Sequence, residues 1–249
     1  MNKYTKQEAI NYWRPFLKSY MDYKELKYLQ NNILNERGCE PKKELIFKVF
    51  ETHPEDIKVI ILGHCPYPNL GMATGLAFEN GWETNNDTLI EGVKKNEVTP
   101  MELQIIEKGV KIDYDYKGIE NWAQQGVFLL NTALTVERGK PDSHNQYWKQ
   151  FTNKVINHIS SYKGNKVWLI WGTKMKEFIP QISNVFHVNG YDRENIDKIP
   201  VYMDKSYVIT GGKPITEYYS ESGSNFYNRN FFYFTNRILQ KSGYSKIKW

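Results

Sequence analysis

The sequence predicts an α/β fold built around a short, mostly parallel four-stranded sheet. Three observations predict it. Four apolar runs, Val59–Leu62, Val127–Leu130, Lys166–Trp171 and Tyr207–Thr210, read as strands. They are continuous and not alternating, which is the pattern of a parallel sheet covered on both faces. Amphipathic segments with apolar residues spaced at three and four lie around them, over 6–37, Lys42–Glu51, Trp148–Ser161 and Thr235–Ser242. The chain has 249 residues and neither a Ser/Gly/Pro-rich linker nor an internal repeat, so 1–249 reads as one domain.

The first strand leads into the densest stretch of the chain. Gly63 stops the run, and His64, Cys65, Pro66, Tyr67, Pro68, Gly71 and Gly75 follow before Phe78. A buried strand that ends in a rigid loop presents polar groups at its carboxyl end, where open α/β sheets bind ligands. Asn131 closes the second strand in the same way, and Gly172-Thr173 the third, with Lys174 and Lys176 adding charge. A helix opening there would be a natural anion site. Ser143-His144 precedes the helix over Trp148–Ser161, with Ser143 as a candidate N-cap. Val185–Val188 is a further strand candidate, before a polar segment that carries Asp192 and Glu194.

Composition narrows the partner. The net charge is +5 and the isoelectric point about 8.9, which suits a polyanion. Eighteen Tyr and seven Trp suit stacking on bases as well as an aromatic core. No apolar run reaches the ~18 residues of a membrane span. Cys39 and Cys65 form no disulfide framework, and no Cys/His cluster has zinc spacing, so no metal and no cofactor are expected. A reducing, cytoplasmic setting with nucleoid-associated activity, and a monomer, follow as expectations.

Gly63-His64-Cys65-Pro66-Tyr67-Pro68 resembles the water-activating loop of the family 1 uracil-DNA glycosylases, usually written GQDPYH. Further similar segments occur downstream in the family's order: Gly71–Phe78, Trp122–Gly126, Ser143-His144, Gly172-Thr173, Gly211–Thr216 and the closing Thr235–Trp249. The resemblance implies a three-layer αβα sandwich and a DNA partner, single- or double-stranded. It implies that Phe78 stacks on a flipped base, that Tyr67 packs against C5, and that Asn131 reads the base edge. An amide offers one acceptor and two donors, and so pairs with uracil or, turned over, with cytosine. Gly172 and Thr173 would hold a phosphate, and Lys213, Pro214 and Ile215 would occupy the loop that wedges into the duplex.

Two positions depart from the family. Its carboxylate is replaced by Cys65 and its His by Gly211. A carboxylate steadies the sugar cation and orients water, and a neutral His donates to the departing base. Losing one such group costs on the order of a hundredfold. His64 and Cys65 are therefore the candidate catalytic residues, with Lys213, Asp142, Asp192 and Glu194 as nearby substitutes. Three readings follow. The first is a DNA glycosylase acting on a modified pyrimidine, in defence against phage. The second is plain uracil excision at a reduced rate. The third is a glycosylase fold kept for DNA or protein binding.

Overall fold

The computed structural model describes residues 2–21, 24–32, 38–82, 118–190, 197–214, 226 and 230–249. Helices α1 (Lys6–Met21) and α2 (Lys24–Asn32) come first. A two-residue strand β1 (Cys39–Glu40) and strand β2 (Val59–Gly63) follow. Then come α3 (Ile119–Gln124), β3 (Val127–Asn131), the short β4 (Val136–Glu137), and α4 (Asn145–Ser161). Strands β5 (Lys166–Trp171), β6 (Val185–Val188) and β7 (Ser206–Gly211) precede the last helix, α5 (Phe231–Lys241).

The main sheet runs in the order β3-β2-β5-β7-β6, and every pairing in it is parallel. It has five strands where the apolar runs predict four. The added strand is β6, an edge strand that is only partly buried, and its weaker apolar signal follows from that place. β1 and β4 pair antiparallel outside the sheet.

Continuous apolar runs are explained by cover on both faces. Ile60 lies level with Phe128 on one side and Trp168 on the other. Phe128 stacks on Trp13 of α1, which is fully buried and donates its indole N–H to Thr52 O at 2.9 Å. Trp171 is three positions beyond Trp168 and so faces the opposite layer. There it meets Phe231 and Phe232 of α5. Helices thus lie on both sides of a sheet, the three-layer sandwich that the resemblance implies.

Local readings hold less well than the strands. Lys42–Glu51 is not one amphipathic helix. It is two 3₁₀ turns, Lys43–Leu45 and Lys48–Glu51, closed by Leu45 N→Lys42 O at 2.8 Å and Phe50 N→Phe47 O at 3.0 Å. The segment is too short to repay α-helix nucleation, and burial of Val49 and Phe50 holds the tighter form. The closing helix begins at Phe231, four residues before Thr235, because Phe231, Phe232 and Phe234 are core residues. Ser143 is not the cap of α4: its Oγ accepts from Glu137 N at 2.8 Å and pins the preceding turn. Among the described residues no helix is long and apolar enough to cross a membrane.

Both ends of the chain are tied to the sheet's lower edge. The buried Asp56 carboxylate accepts from Lys3 N at 2.7 Å and Tyr4 N at 3.0 Å. Gln125 exchanges two hydrogen bonds with Lys248. Gly126, between them, has φ +92°, and a methyl group there would lie 2.2 Å from Asp56 O. Gly126→Ala is therefore expected to cost at least about 1–2 kcal/mol from the left-handed backbone alone. A lower urea midpoint at unchanged m-value checks it.

Candidate active site

The site forms at the carboxyl ends of β2 and β3. Parallel pairing sets Gly63 directly beside Asn131. The contact is so close that a Cβ on Gly63 would lie 2.3 Å from Asn131 Oδ1 and 2.7 Å from Ala77 Cβ. Thr132 N→Gly63 O at 2.8 Å and Ala133 N→His64 O at 3.1 Å continue the ladder past the strands, and Ala77 N→Leu129 O at 3.0 Å docks the returning loop. A cavity of about 110 Å³ opens here, lined by Cys65, Tyr67, Phe78, Asn131, Trp171 and Lys213 among others. It is close in size to the roughly 150 Å³ cavity that admits a benzene ring, so one six-membered ring fits.

The structure brings together most of the residues expected from sequence. Phe78 takes φ 67°, a strained value for an aromatic residue, and meets Trp171 edge-on with centroids 5.1 Å apart. Tyr67 is half-buried in the wall. Asn131 is only 6% exposed. Lys213 and Pro214 line the far side. The side chain of Lys213 lies against Gly172, so that a Cβ on Gly172 would come within 2.6 Å of it. This joins the loops after β5 and β7, together with Gly172 N→Gly211 O at 2.8 Å. Thr173 makes no capping hydrogen bond, and the segment it precedes, Lys174–Gln181, is a 3₁₀ helix, which differs from the capped α-helix expected. Ile215, Asp192 and Glu194 lie outside the described residues.

The loop at 138–144 brings one of the candidate substitutes to the site. Gly139 N→Pro68 O at 3.0 Å clamps it against the first loop. Asp142 sits there in the left-handed region, φ 69°, a conformation that Asp tolerates better than most residues. Its Oδ1 is 2.5 Å from His64 Nε2 and 3.6 Å from Cys65 Sγ. Its Oδ2 accepts from Lys174 Nζ at 2.8 Å. A carboxylate thus stands beside the position that lacks one. Asp142 is one of the nearby substitutes named from sequence, and the structure sets it beside Cys65 although 77 positions separate them. Trp171 carried no sequence signal beyond that of a strand residue. His144 is buried, with Nδ1 3.0 Å from Thr135 Oγ1, and supports the wall without reaching the cavity.

Electrostatics fix the protonation. Burial pushes His64 below its usual 6.5; Asp142 pulls the other way, but Lys174 and Lys213 add to the depression. The imidazole is neutral at neutral pH; Asp142 Oδ1 meets its Nε2 as an acceptor, and Asn145 Nδ2 at 3.2 Å and Lys174 Nζ at 3.4 Å approach the same nitrogen as donors. For Asp142, burial acts upward, and the Lys174 hydrogen bond with the His64 and Lys174 charges outweighs it, leaving the carboxyl below its ordinary value. Burial pushes the Cys65 thiol up. A protonated thiol is a poor nucleophile, so the nucleophile reading of Cys65 is unsupported, while a hydrogen bond to Asp142 is present. Among the described residues, His64, Cys65 and Asp142 also form a group whose donor atoms all lie within 4.8 Å of one another, which could hold a metal ion.

A crevice at the carboxyl ends of parallel strands, with aromatic walls, one buried amide and a carboxylate–imidazole pair, defines a site for a single flat ring. The model of the uracil DNA glycosylase superfamily matches residues 50–241. The chain is 33% identical to a uracil-DNA glycosylase of Buchnera aphidicola, over 95% of this chain and 96% of that one. It is 40% identical to one of Borrelia turicatae, over 64% of this chain and 71% of that one. Its fold is similar to the crystal structure of a mimivirus uracil-DNA glycosylase, with TM-score 0.72 at 20% identity, covering 99% and 90% of the two chains. The chain belongs to the uracil-DNA glycosylase superfamily.

The pairing of Cys65 with Asp142 has a direct consequence. In a Cys39→Ser background, the pH dependence of iodoacetamide labelling is expected to place the Cys65 pKa above 9.0. Asp142→Asn is expected to lower it, since the charge and side-chain hydrogen bond of Asp142 both act upward. An unchanged value in Asp142→Asn would show that the two groups do not meet.

Proposed function

We propose that this protein excises uracil from DNA, with the carboxylate of Asp142 acting in place of the one lost at Cys65. The observation that carries this reading is the placement of Asp142 Oδ1 3.6 Å from the Sγ of Cys65, which itself lines a ring-sized cavity walled by Tyr67, Phe78 and Asn131. The relatives named uracil-DNA glycosylase support the same substrate. A modified pyrimidine, and with it a role in phage defence, has less support. Tyr67, which the resemblance sets against C5, still forms part of the wall.

The roles follow from charge. Cleaving the bond between base and sugar leaves a cationic sugar and an anionic base. Asp142, held ionised by Lys174, stabilises the cation and orients water on its open side. His64 is a positioning residue that donates Nε2–H to Asp142. Asn131 pairs with the base edge, its amide N–H donating to O4 and its oxygen accepting from N3–H. Lys213 puts a positive charge on the far side of the cavity, where negative charge develops on the base once the His position is Gly211. Gly172 and Thr173 are the proposed phosphate-holding residues, and Lys213 and Pro214 lie in the proposed wedge loop.

Release of uracil from a single-stranded uracil oligonucleotide tests the reading. Asn131→Asp presents a carboxylate to O4 and is expected to lower the rate by on the order of a hundredfold or more. Asp142→Asn is expected to lose a similar factor, and the double variant Cys65→Asp/Asp142→Asn to recover part of it. DNA binding without any abasic product overturns the proposal and favours the binding protein. Free base from a modified pyrimidine but none from uracil would restore the altered-specificity reading.

The pH profile gives a separate check. Protonating His64 adds a positive charge beside a developing cation, so excision falls as pH drops through the His64 pKa. The acid limb of kcat/KM is expected below pH 6.5, because burial lowers that pKa. His64→Gln, which cannot titrate, is expected to abolish the limb.

A further inference from the structure

The excision chemistry uses Asp142 and His64 and leaves the Cys65 thiol idle. The geometry points to a second use of the same three side chains: we propose that His64 Nε2, Cys65 Sγ and Asp142 Oδ1 bind a zinc-class divalent cation, and that the bound ion switches excision off. The second half rests on the reading above; the first does not.

The donor set carries the choice of ion. One imidazole, one thiolate and one carboxylate, with a fourth position open, suit zinc; calcium and magnesium prefer all-oxygen shells. The three donor atoms lie within 4.8 Å of one another. Tetrahedral ligation at about 2.0–2.3 Å separates donors by roughly 3.3–3.6 Å. Sγ and Oδ1 already stand 3.6 Å apart, and Nε2 and Oδ1, at 2.5 Å, must part by about 1 Å. Asp142 is side-chain exposed by 40%, so it has room to do this. Both loops are clamped, by Gly139 N→Pro68 O and Ala133 N→His64 O, so the ligands are gathered before any ion arrives. The open side is the cavity, which His64 and Cys65 line.

The outer contacts support the carboxylate, while His64 Nδ1 is buried without a hydrogen-bond partner among the described residues. Lys174 bonds Oδ2, leaving Oδ1 to the ion, and a hydrogen-bonded ligating carboxylate is the usual arrangement. Lys174 Nζ at 3.4 Å and Asn145 Nδ2 at 3.2 Å also approach His64 Nε2, and both must draw back from that nitrogen when it ligates, with Lys174 keeping its bond to Oδ2. On binding, the thiol proton leaves to solvent and the His64 proton sits on Nδ1; no bond changes oxidation state. Excision stops because Oδ1 no longer faces the sugar, and because the anionic Asp142 is replaced by a site neutral overall, with two ligand charges against two on the ion.

Cobalt titration of metal-free protein in the Cys39→Ser background tests the site. The expected result is a thiolate-to-cobalt charge-transfer band saturating at one equivalent, bleached by added zinc, absent in Cys65→Ser and at least tenfold weaker in apparent affinity in Asp142→Asn. No band, or one that survives Cys65→Ser, overturns the site. Uracil release is then measured with chelator and with zinc. Excision with chelator, half-inhibited at the zinc concentration that bleaches half the cobalt band, supports the switch; excision unaffected by saturating zinc overturns it. A cobalt band in a protein that never excises uracil would leave the metal site standing and sink the proposed function instead.

Discussion

The parallel pairing of β2 with β3 is the constraint on which the rest depends. It places Gly63 level with Asn131, and the backbone comes so near the amide that any side chain at 63 would displace it. Three separate stretches of chain meet within contact distance at this one point: the end of β2, the end of β3, and Ala77 on the returning loop. The floor of the cavity is therefore backbone, held by strand hydrogen bonds, and its geometry does not depend on the identity of the residues at 64 and 65. The scaffold fixes where a ring sits; the loop residues determine what happens to it.

Charge at the site is arranged across loops. Asp142, His64 and Lys174 come from three different segments, yet their polar atoms converge within 3.4 Å or less of a neighbour. None of the three is deeply buried, so each interaction alone is weak at the surface. Burial, aided by Lys174, keeps the imidazole neutral against the pull of Asp142, and Lys174 with His64 keeps the carboxyl ionised; both pKa values are lowered. With the imidazole neutral, the Asp142 carboxylate and the Lys174 ammonium balance in total, and the negative charge is local to the Oδ1 that Lys174 does not bond.

The sequence made the sheet legible and the charge arrangement illegible, for one physical reason. Burial on both faces writes a continuous apolar run into the chain, so Val59–Leu62, Val127–Leu130, Lys166–Trp171 and Tyr207–Thr210 could be located from residue type alone. β6, an edge strand, writes only half of that signal and reads as a weak candidate. Short helical turns such as Lys43–Leu45 and Lys48–Glu51 share the apolar spacing of an α-helix and part from it only in hydrogen bonding. Asp142 is harder still. A single carboxylate in a polar turn looks like any solvated loop residue, and its partner is 77 residues away. The only signal was positional: it directly precedes Ser143-His144, the turn that the resemblance sets beside the first loop. Motif matching tests a residue in its own slot and passes over a group that reaches the same space from another.

On the proposed reading, a carboxylate that acts from position 142 and not from position 65 differs in strength as well as in place. A carboxylate on the strand-end loop would be walled in by backbone. Asp142 stands in a left-handed turn with part of its side chain in water, and Lys174 is bonded to one of its oxygens. Lys174 secures the ionised form, and the same ammonium cancels part of the field that the sugar would feel, as does the water around it. The arrangement therefore favours a charge that is always present over one that is strong. On the proposed reading it gives uracil excision that is slower than a fully buried carboxylate would allow, and steady across neutral pH. It also leaves Oδ1 accessible beside a thiol and an imidazole, a combination that the family's own aspartate would not produce.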